Sequence, residues 1–310
     1  MRYPSLRTRR SIIDLDDLTA AEIDYIFELT ARLENEPKPA RTLDGIACVN
    51  MFFEHSTRTM TSFTLAEKRL GADVITLWPK ESSLAKGETI EDTAITLAAM
   101  GVRALVIRHP EPGYPRRVAM AFDGHVINAG DGGHAHPTQA LLDIYTLREE
   151  FGDLHERKIA IVGDVLHSRV AHSTIKGLSE LGAEVILVGP EAFLPDGFMQ
   201  ATNVRVERDF DATLSSVDAI LLLRIQHERF DDMPVSHDQY VKDYRLDRKR
   251  LLKVRDETIV MHPGPYNRGT ELDEGVLEFA GWRYAKQVMH GVFVRMAVLD
   301  FLINGQPVAH

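Results

Sequence analysis

Short apolar runs alternate with stretches of helical periodicity along this sequence, and no other feature restricts its fold as much. Ile46–Phe53 precedes a helical stretch from Ser56 to Leu70, and Asp73–Leu77 precedes one from Glu88 to Met100, before Ala104–Ile107. The pattern restarts at Lys158–Val162, followed by a helical stretch from about Arg169 to Leu181, then Glu184–Val188 and the runs Ala219–Leu223 and Thr258–Met261. Alternation of this kind predicts an α/β protein with mostly parallel sheets flanked by helices. Two sets predict two domains, residues 1–148 plus 289–310 and residues 149–288, joined by long helices. Pro137–Glu150 reads as one connection, and the apolar helical stretch Val292–Leu302 is expected to pack back onto the first domain. Ahead of both sets, Thr19 and Glu22 form a capping-box pattern. Ile23, Ile26, Phe27 and Leu33 follow at helical spacing, with Thr30 as the one polar interruption.

A chain of 310 residues is long enough for two cores. Its formal net charge of −10 argues against nucleic acid as a partner, which calls for a basic patch or stripe. Anionic substrates would then have to be held by a few placed Arg and Lys side chains. The single cysteine, Cys48, excludes an intrachain disulfide and reads as a small core residue in the run Ile46–Val49. Arg2, Arg7, Arg9 and Arg10 are followed by the acidic Asp14–Asp17 segment, not an apolar one, so no targeting peptide is expected. No apolar run is long enough to span a bilayer, and the expectation is a cytoplasmic protein without membrane contact.

The first strand runs into Glu54-His55-Ser56-Thr57-Arg58-Thr59-Met60-Thr61-Ser62-Phe63. Ser56 suits an N-cap, and a helix start offers backbone N–H groups and the positive end of the helix dipole to a phosphate. Hydroxyls of Ser56, Thr57 and Thr59 add donors, and Arg58 adds a two-pronged cationic fork. A well-capped helix with a solvated arginine explains the same residues equally well.

These residues resemble the carbamoyl-phosphate signature of the aspartate and ornithine carbamoyltransferases, and further motifs agree. Asp131–Gln139, ending in His136-Pro137-Thr138-Gln139, looks like the second signature of that family. Arg108-His109-Pro110 resembles its carbamoyl-contacting segment. Lys86-Gly87-Glu88-Thr89 resembles the mobile loop that in this family reaches into a neighbouring subunit's site. The likeness runs in matching order from about Met51 to the C-terminus. It implies that residues 1–148 plus 289–310 bind carbamoyl phosphate and that residues 149–288 bind the amino acid.

The second domain distinguishes the two branches. Aspartate brings two carboxylates and calls for two cationic clamps, a task suited to guanidinium groups. Arg169 and Arg224, with Gln226 beside the latter, match the aspartate-binding arginines of the family. The segment His262-Pro263-Gly264-Pro265-Tyr266-Asn267-Arg268 has the aspartate pattern, whereas ornithine enzymes carry a His-Cys-Leu-Pro segment.

The resemblance implies that Ser56, Thr57, Arg58 and Thr59 bind phosphate. Thr59, Arg108 and His136 would donate to the carbamoyl oxygen, and Gln139 would orient the carbamoyl NH2. Arg108, Arg169, Arg224 and Gln226 would hold L-aspartate, with Pro263 and Gly264 closing the pocket. Lys86, with Ser82 or Ser83, would come from an adjacent subunit, which makes a homotrimer the smallest active unit. Larger assemblies with regulatory chains or dihydroorotase fit the family too. No cofactor, metal or nucleophilic side chain is implied.

Three positions depart from the pattern. Met60 and Thr64 stand where Arg and Glu are common, four apart on one helix face, so their joint loss removes one ion pair. His55 stands where Pro is frequent. His134 and His136 lack the companions of a metal site. Gly163-Asp164-Val165 follows a Rossmann-like strand but lacks the G-x-G-x-x-G spacing of a dinucleotide site. The remaining alternatives are a carbamoyltransferase for ornithine or another amino acid, and a catalytically silent pathway scaffold. Retention of every matched contact residue weighs against the scaffold. Most of the thirteen histidines find no explanation in the sequence.

Overall fold

A computed structural model describes residues 11–38, 41–78, 87–194, 203–225 and 235–305. The chain divides into two compact units, Met1–Leu141 with Met289–His310, and Leu142–Val288.

The first unit holds β1 (Ala47–Phe52), β2 (Asp73–Leu77), β3 (Val102–His109) and β4 (His125–Asp131), all parallel, in the order β2-β1-β3-β4. α1 (Ala20–Asn35) precedes the sheet, and α2 (Thr57–Arg69), α3 (Ile90–Ala99) and α4 (Tyr114–Ala121) connect its successive strands. Thr19 and Glu22 cap α1 reciprocally, the Glu22 carboxylate accepting from Thr19 N at 2.8 Å. Thr30 is fully buried in the apolar stripe because its hydroxyl donates to Ile26 O at 2.7 Å. Val49, Met51, Leu105, Ile107, Val118, Phe122 and Val126 form a fully buried core. Burial of each large side chain there contributes roughly 1.5–3 kcal/mol.

Strand order decides where ligands can approach. After β1 the chain crosses to β2 on one side, and after β3 it crosses to β4 on the other. The loops leaving β1 and β3 therefore diverge, which opens a crevice at their carboxyl ends.

α5 (Pro137–Phe151) carries the chain from the first unit into the second. There β5 (Lys158–Val162), β6 (Glu184–Val188), β7 (Val204–Glu207), β8 (Ala219–Leu222) and β9 (Ile259–Met261) form a second parallel sheet, ordered β7-β6-β5-β8-β9. Its order reverses between β5 and β8, so the corresponding crevice lies beyond those two strands. α6 (Arg169–Glu180) follows β5. α7 (Phe210–Thr213), α8 (His237–Tyr244), α9 (Arg248–Leu251) and α10 (Glu274–Leu277) complete the unit. α11 (Tyr284–Asn304) returns to the first unit, where Arg295 Nη1 donates to Ser62 Oγ at 2.8 Å and Asn304 Nδ2 to Thr42 O at 3.3 Å. Among the described residues no helix is long and apolar enough to cross a membrane.

β4 and β7 are absent from the apolar runs of the sequence. β4 is buried along its whole length although it contains His125, Asn128 and Asp131. Asn128 is satisfied internally: its Nδ2 donates to Ile13 O (2.9 Å) and to Asp131 Oδ1 (2.7 Å), while its Oδ1 accepts from Gly130 N (2.8 Å). β7 is a four-residue edge strand in which only Val204 is buried.

Candidate functional site

In the first unit the candidate residues gather at the switch point. α2 starts immediately beyond β1, with Ser56 at the N-cap position, Thr57 and Arg58 exposed, and Thr59 buried. The Ser56 hydroxyl makes no capping hydrogen bond. The first intrahelical bond runs from Met60 N to Ser56 O at 3.1 Å, so the N–H groups of Thr57, Arg58 and Thr59 have no intrahelical acceptor. This helix start, with hydroxyls and an exposed guanidinium, is a suitable place for a phosphate dianion.

Arg108 lies at the end of β3, on the other side of the same crevice. Its Nε pairs with Glu54 Oε2 at 3.1 Å, and its Nη1 donates to Ala129 O at 3.2 Å. The guanidinium is thereby aligned from β4 and from the loop that leads into α2. His136 and Gln139, both buried, open α5, whose first residue is Pro137. Their approach is shaped by Asp131, which accepts from Gly113 N (2.7 Å), Asn128 Nδ2 (2.7 Å) and Ala135 N (3.1 Å). Gly132 adopts φ +46°, and a Cβ there would lie 2.7 Å from the Pro112 ring and 2.8 Å from Pro110 O. Only glycine fits that turn. His134 Nδ1 turns to Asp131 Oδ2 at 3.1 Å, so the two histidines of this motif have different surroundings. Among the described residues no cluster of three metal-ligating side chains occurs.

In the second unit, Arg169 is the first residue of α6, capped by the Ser168 hydroxyl, which accepts from Ala171 N at 3.1 Å. Arg224 is exposed and lies two residues beyond the end of β8. The two arginine-bearing turns pack together at Gly163, φ +126°. A Cβ on Gly163 would stand 3.2 Å from Leu223 Cβ and from the Tyr240 hydroxyl, and 3.3 Å from Ile225 Cδ1. Pro263 and Gly264 follow β9. The His262 side chain holds their turn, its Nδ1 accepting from Gly264 N at 2.8 Å, while Gln287 Oε1 accepts from His262 N at 3.0 Å. Ser82, Ser83, Lys86 and Gln226 lie outside the described residues.

Residues 10–149 match the family model described as aspartate/ornithine carbamoyltransferase, carbamoyl-P binding domain. Residues 155–302 match its companion, the Asp/Orn binding domain. The chain belongs to the aspartate/ornithine carbamoyltransferase family. It is 47% identical to the aspartate carbamoyltransferase catalytic subunit of Salinispora tropica over 304 residues, covering 97% of this chain and 99% of that one. The corresponding protein of Moorella thermoacetica is 44% identical, covering 96% and 98%. Among solved structures, the catalytic subunit of M. jannaschii aspartate transcarbamoylase superposes with a TM-score of 0.86 at 34% identity, covering 97% of this chain and all of that one. Aspartate transcarbamoylase from Trypanosoma cruzi, in complex with carbamoyl aspartate and phosphate, gives 0.86 at 30% identity, covering 96% and 98%.

Arg295 and Glu67, which brace the candidate site in the first unit of this carbamoyltransferase, carry no signal in the motifs. Arg295, on α11, donates to Ser62 and lies 5.0 Å from the Phe63 ring centroid, anchoring the helix that bears Ser56–Thr59. Glu67 on α2 is fully buried, its Oε2 accepting from Asn50 Nδ2 of β1 at 2.7 Å, and burial pushes its carboxyl up to about 8. Met60 and Thr64, where the family's common ion pair is missing, are both half-buried on the same helix. Cys48 is fully buried, and burial pushes its thiol up to about 12, which suits a packing residue and not a nucleophile.

Proposed function

We propose that this chain transfers the carbamoyl group of carbamoyl phosphate to the α-amine of L-aspartate, giving N-carbamoyl-L-aspartate and phosphate, a step of de novo pyrimidine synthesis. The observation that carries this reading is the placement of Arg169 and Arg224 on adjoining turns at the switch point of the second sheet. Two guanidinium groups there match the two carboxylates of aspartate, whereas ornithine presents one carboxylate and a cation.

In this reading Ser56, Thr57, Arg58 and Thr59 hold the phosphate. Thr59, Arg108 and His136 donate to the carbamoyl oxygen, and Gln139 orients the carbamoyl NH2. Arg108, Arg169, Arg224 and Gln226 bind aspartate, and the Pro263–Gly264 backbone lines its site. The aspartate nitrogen bonds to the carbamoyl carbon, the oxygen gains charge in the tetrahedral intermediate, and the C–O bond to phosphate breaks as the amine loses a proton. Donors aimed at that oxygen are worth about 3–4 kcal/mol each in acyl-transfer enzymes. Holding two reactants in register supplies about 7–11 kcal/mol more. Ser82 and Lys86 of a neighbouring copy complete the phosphate site, so the working unit is a homotrimer. We place the enzyme in the cytoplasm and leave room for regulatory chains or dihydroorotase in larger assemblies.

Phosphate release on mixing the protein with carbamoyl phosphate and L-aspartate, with L-ornithine as control, tests the reading. Release with aspartate alone supports it. Release with ornithine, or with neither, overturns it.

A further inference from the structure

We propose that Glu271 is a positioning residue for the amino-acid substrate, a buried carboxylate that fixes the Arg224–Ile225 turn against the Pro263–Asn267 loop. The proposal rests on the reading of Arg224 as a clamp on aspartate. Glu271 is 1% exposed and lies outside every motif of the sequence. Its Oε1 accepts from Ile225 N at 2.7 Å and from Asn267 Nδ2 at 3.0 Å, and its Oε2 accepts from Asn267 N at 2.6 Å. Asn267 Nδ2 also donates to Ile225 O at 2.8 Å, so the side chains of Glu271 and Asn267 tie the same two loops. The backbone of Glu271 is in turn fixed by Leu246 N, which donates to its carbonyl at 2.9 Å.

No basic side chain forms an ion pair with Glu271 among the described residues. Among the described residues, the titratable groups on the elements packed around it are Tyr240, His237, His262 and Arg268. From α8 comes the buried Tyr240 phenol, driven well above its usual 10 by burial, then by the carboxylates of Glu271 and Asp164. His237, also on α8, meets Thr270 Oγ1 at 3.1 Å. His262 stands at the head of the Pro263–Asn267 loop, and Arg268 is exposed, 3.7 Å from Glu274. Among the described residues Glu271 is therefore held by N–H dipoles, its own backbone N–H included, and each is a donor that wants an acceptor lone pair.

A neutral group cannot serve all of these donors equally. Protonation, or replacement by glutamine, turns one of the two terminal atoms into a donor that faces an N–H. Burial pushes the Glu271 carboxyl up to about 7 against the pull of those bonds. Loss of one bond loosens either the Ile225 N–H beside Arg224 or the Asn267 end of the second loop. The residues read as binding carbamoyl phosphate lie in the other unit.

The test compares the full-length protein with Glu271→Gln, Asn267→Ala and Arg224→Ala, by steady-state rates over aspartate and over carbamoyl phosphate between about pH 6 and about pH 8.5. Glu271→Gln is expected to raise the KM for aspartate about tenfold near pH 8, with the KM for carbamoyl phosphate within about twofold and kcat within about threefold. The ratio of variant to wild-type KM for aspartate should fall towards one below about pH 7, where the wild type carries the proton as well. Asn267→Ala should move the same constant in the same direction, and it decides the matter with the same readouts if Glu271→Gln does not fold. An unchanged aspartate KM, or equal losses for both substrates and kcat at every pH, overturns the proposal. If Arg224→Ala leaves the aspartate KM unchanged, the clamp reading has failed. If Arg224→Ala raises it and Glu271→Gln does not, the positioning role alone has failed.

Discussion

Arg58 stands exposed at the second position of α2, where the backbone N–H groups of the first turn lack helical acceptors. Its planar fork can take two phosphate oxygens at once, which a lysine cannot. Arg58→Ala is expected to lower kcat/KM for carbamoyl phosphate about 10²–10³-fold, and Arg58→Lys to recover only part of the loss, as read in steady-state kinetics. Retention of near-normal turnover by Arg58→Ala would contradict the phosphate assignment. Arg58 and its hydroxylated neighbours were legible because they are contiguous at a helix start. Glu271, Arg295 and Glu67 were not, because each acts through contacts across long sequence separations: Glu271 with Ile225, Arg295 with Ser62, and Glu67 with Asn50.

At the scale of elements, α2 is fastened to β1 by the Asn50–Glu67 pair. Asn50 Oδ1 and Glu67 Oε1 are both buried without a hydrogen-bond partner, and a proton on Glu67 supplies the donor this pair otherwise lacks. Neither Cys48 on β1 nor Asp73 on β2 offers a cation. With the folded carboxyl raised from 4.5 to about 8, the chain holds this proton more tightly folded than unfolded. The resulting stability is complete below 4.5 and is lost as pH rises through about 8, amounting to about 3 kcal/mol between pH 6 and pH 9 for this group. Glu67→Gln can accept from Asn50 Nδ2 and donate to its oxygen at every pH. Denaturant melts should therefore show the variant gaining on the wild type as pH rises from about 6 to about 9, and parallel stability curves would refute a buried neutral acid. Most strands were legible because their apolar runs bury both faces. β4 was not, since Asn128 and Asp131 satisfy each other inside the fold, a pairing that hydrophobic patterning cannot reveal.

At the scale of the whole molecule, each unit places its candidate arginines beyond the strands where sheet order reverses, β1 and β3 in the first and β5 and β8 in the second. His136 and Gln139 follow β4, and Pro263 and Gly264 follow β9. The alternation of strands and helices made this architecture readable, and chain order alone fixed neither sheet's strand order. The acidic net charge is no obstacle, because the cations needed are a handful at those strand ends. If Lys86 serves a neighbouring copy's site, Lys86→Ala and Arg58→Ala chains, each inactive, should regain activity when unfolded and refolded together. In a randomly mixed trimer some sites then draw both intact residues from different copies, and recovery of up to about a quarter of wild-type activity is expected. No gain over the separate variants would exclude the shared site.

The most direct test follows the carbamoyl carbon itself. With ¹³C-labelled carbamoyl phosphate, L-aspartate and the purified protein, nuclear magnetic resonance should show the label passing into N-carbamoyl-L-aspartate, with one phosphate released per product formed. Label that reaches ornithine in preference to aspartate, or that appears only in hydrolysis products, would contradict the account.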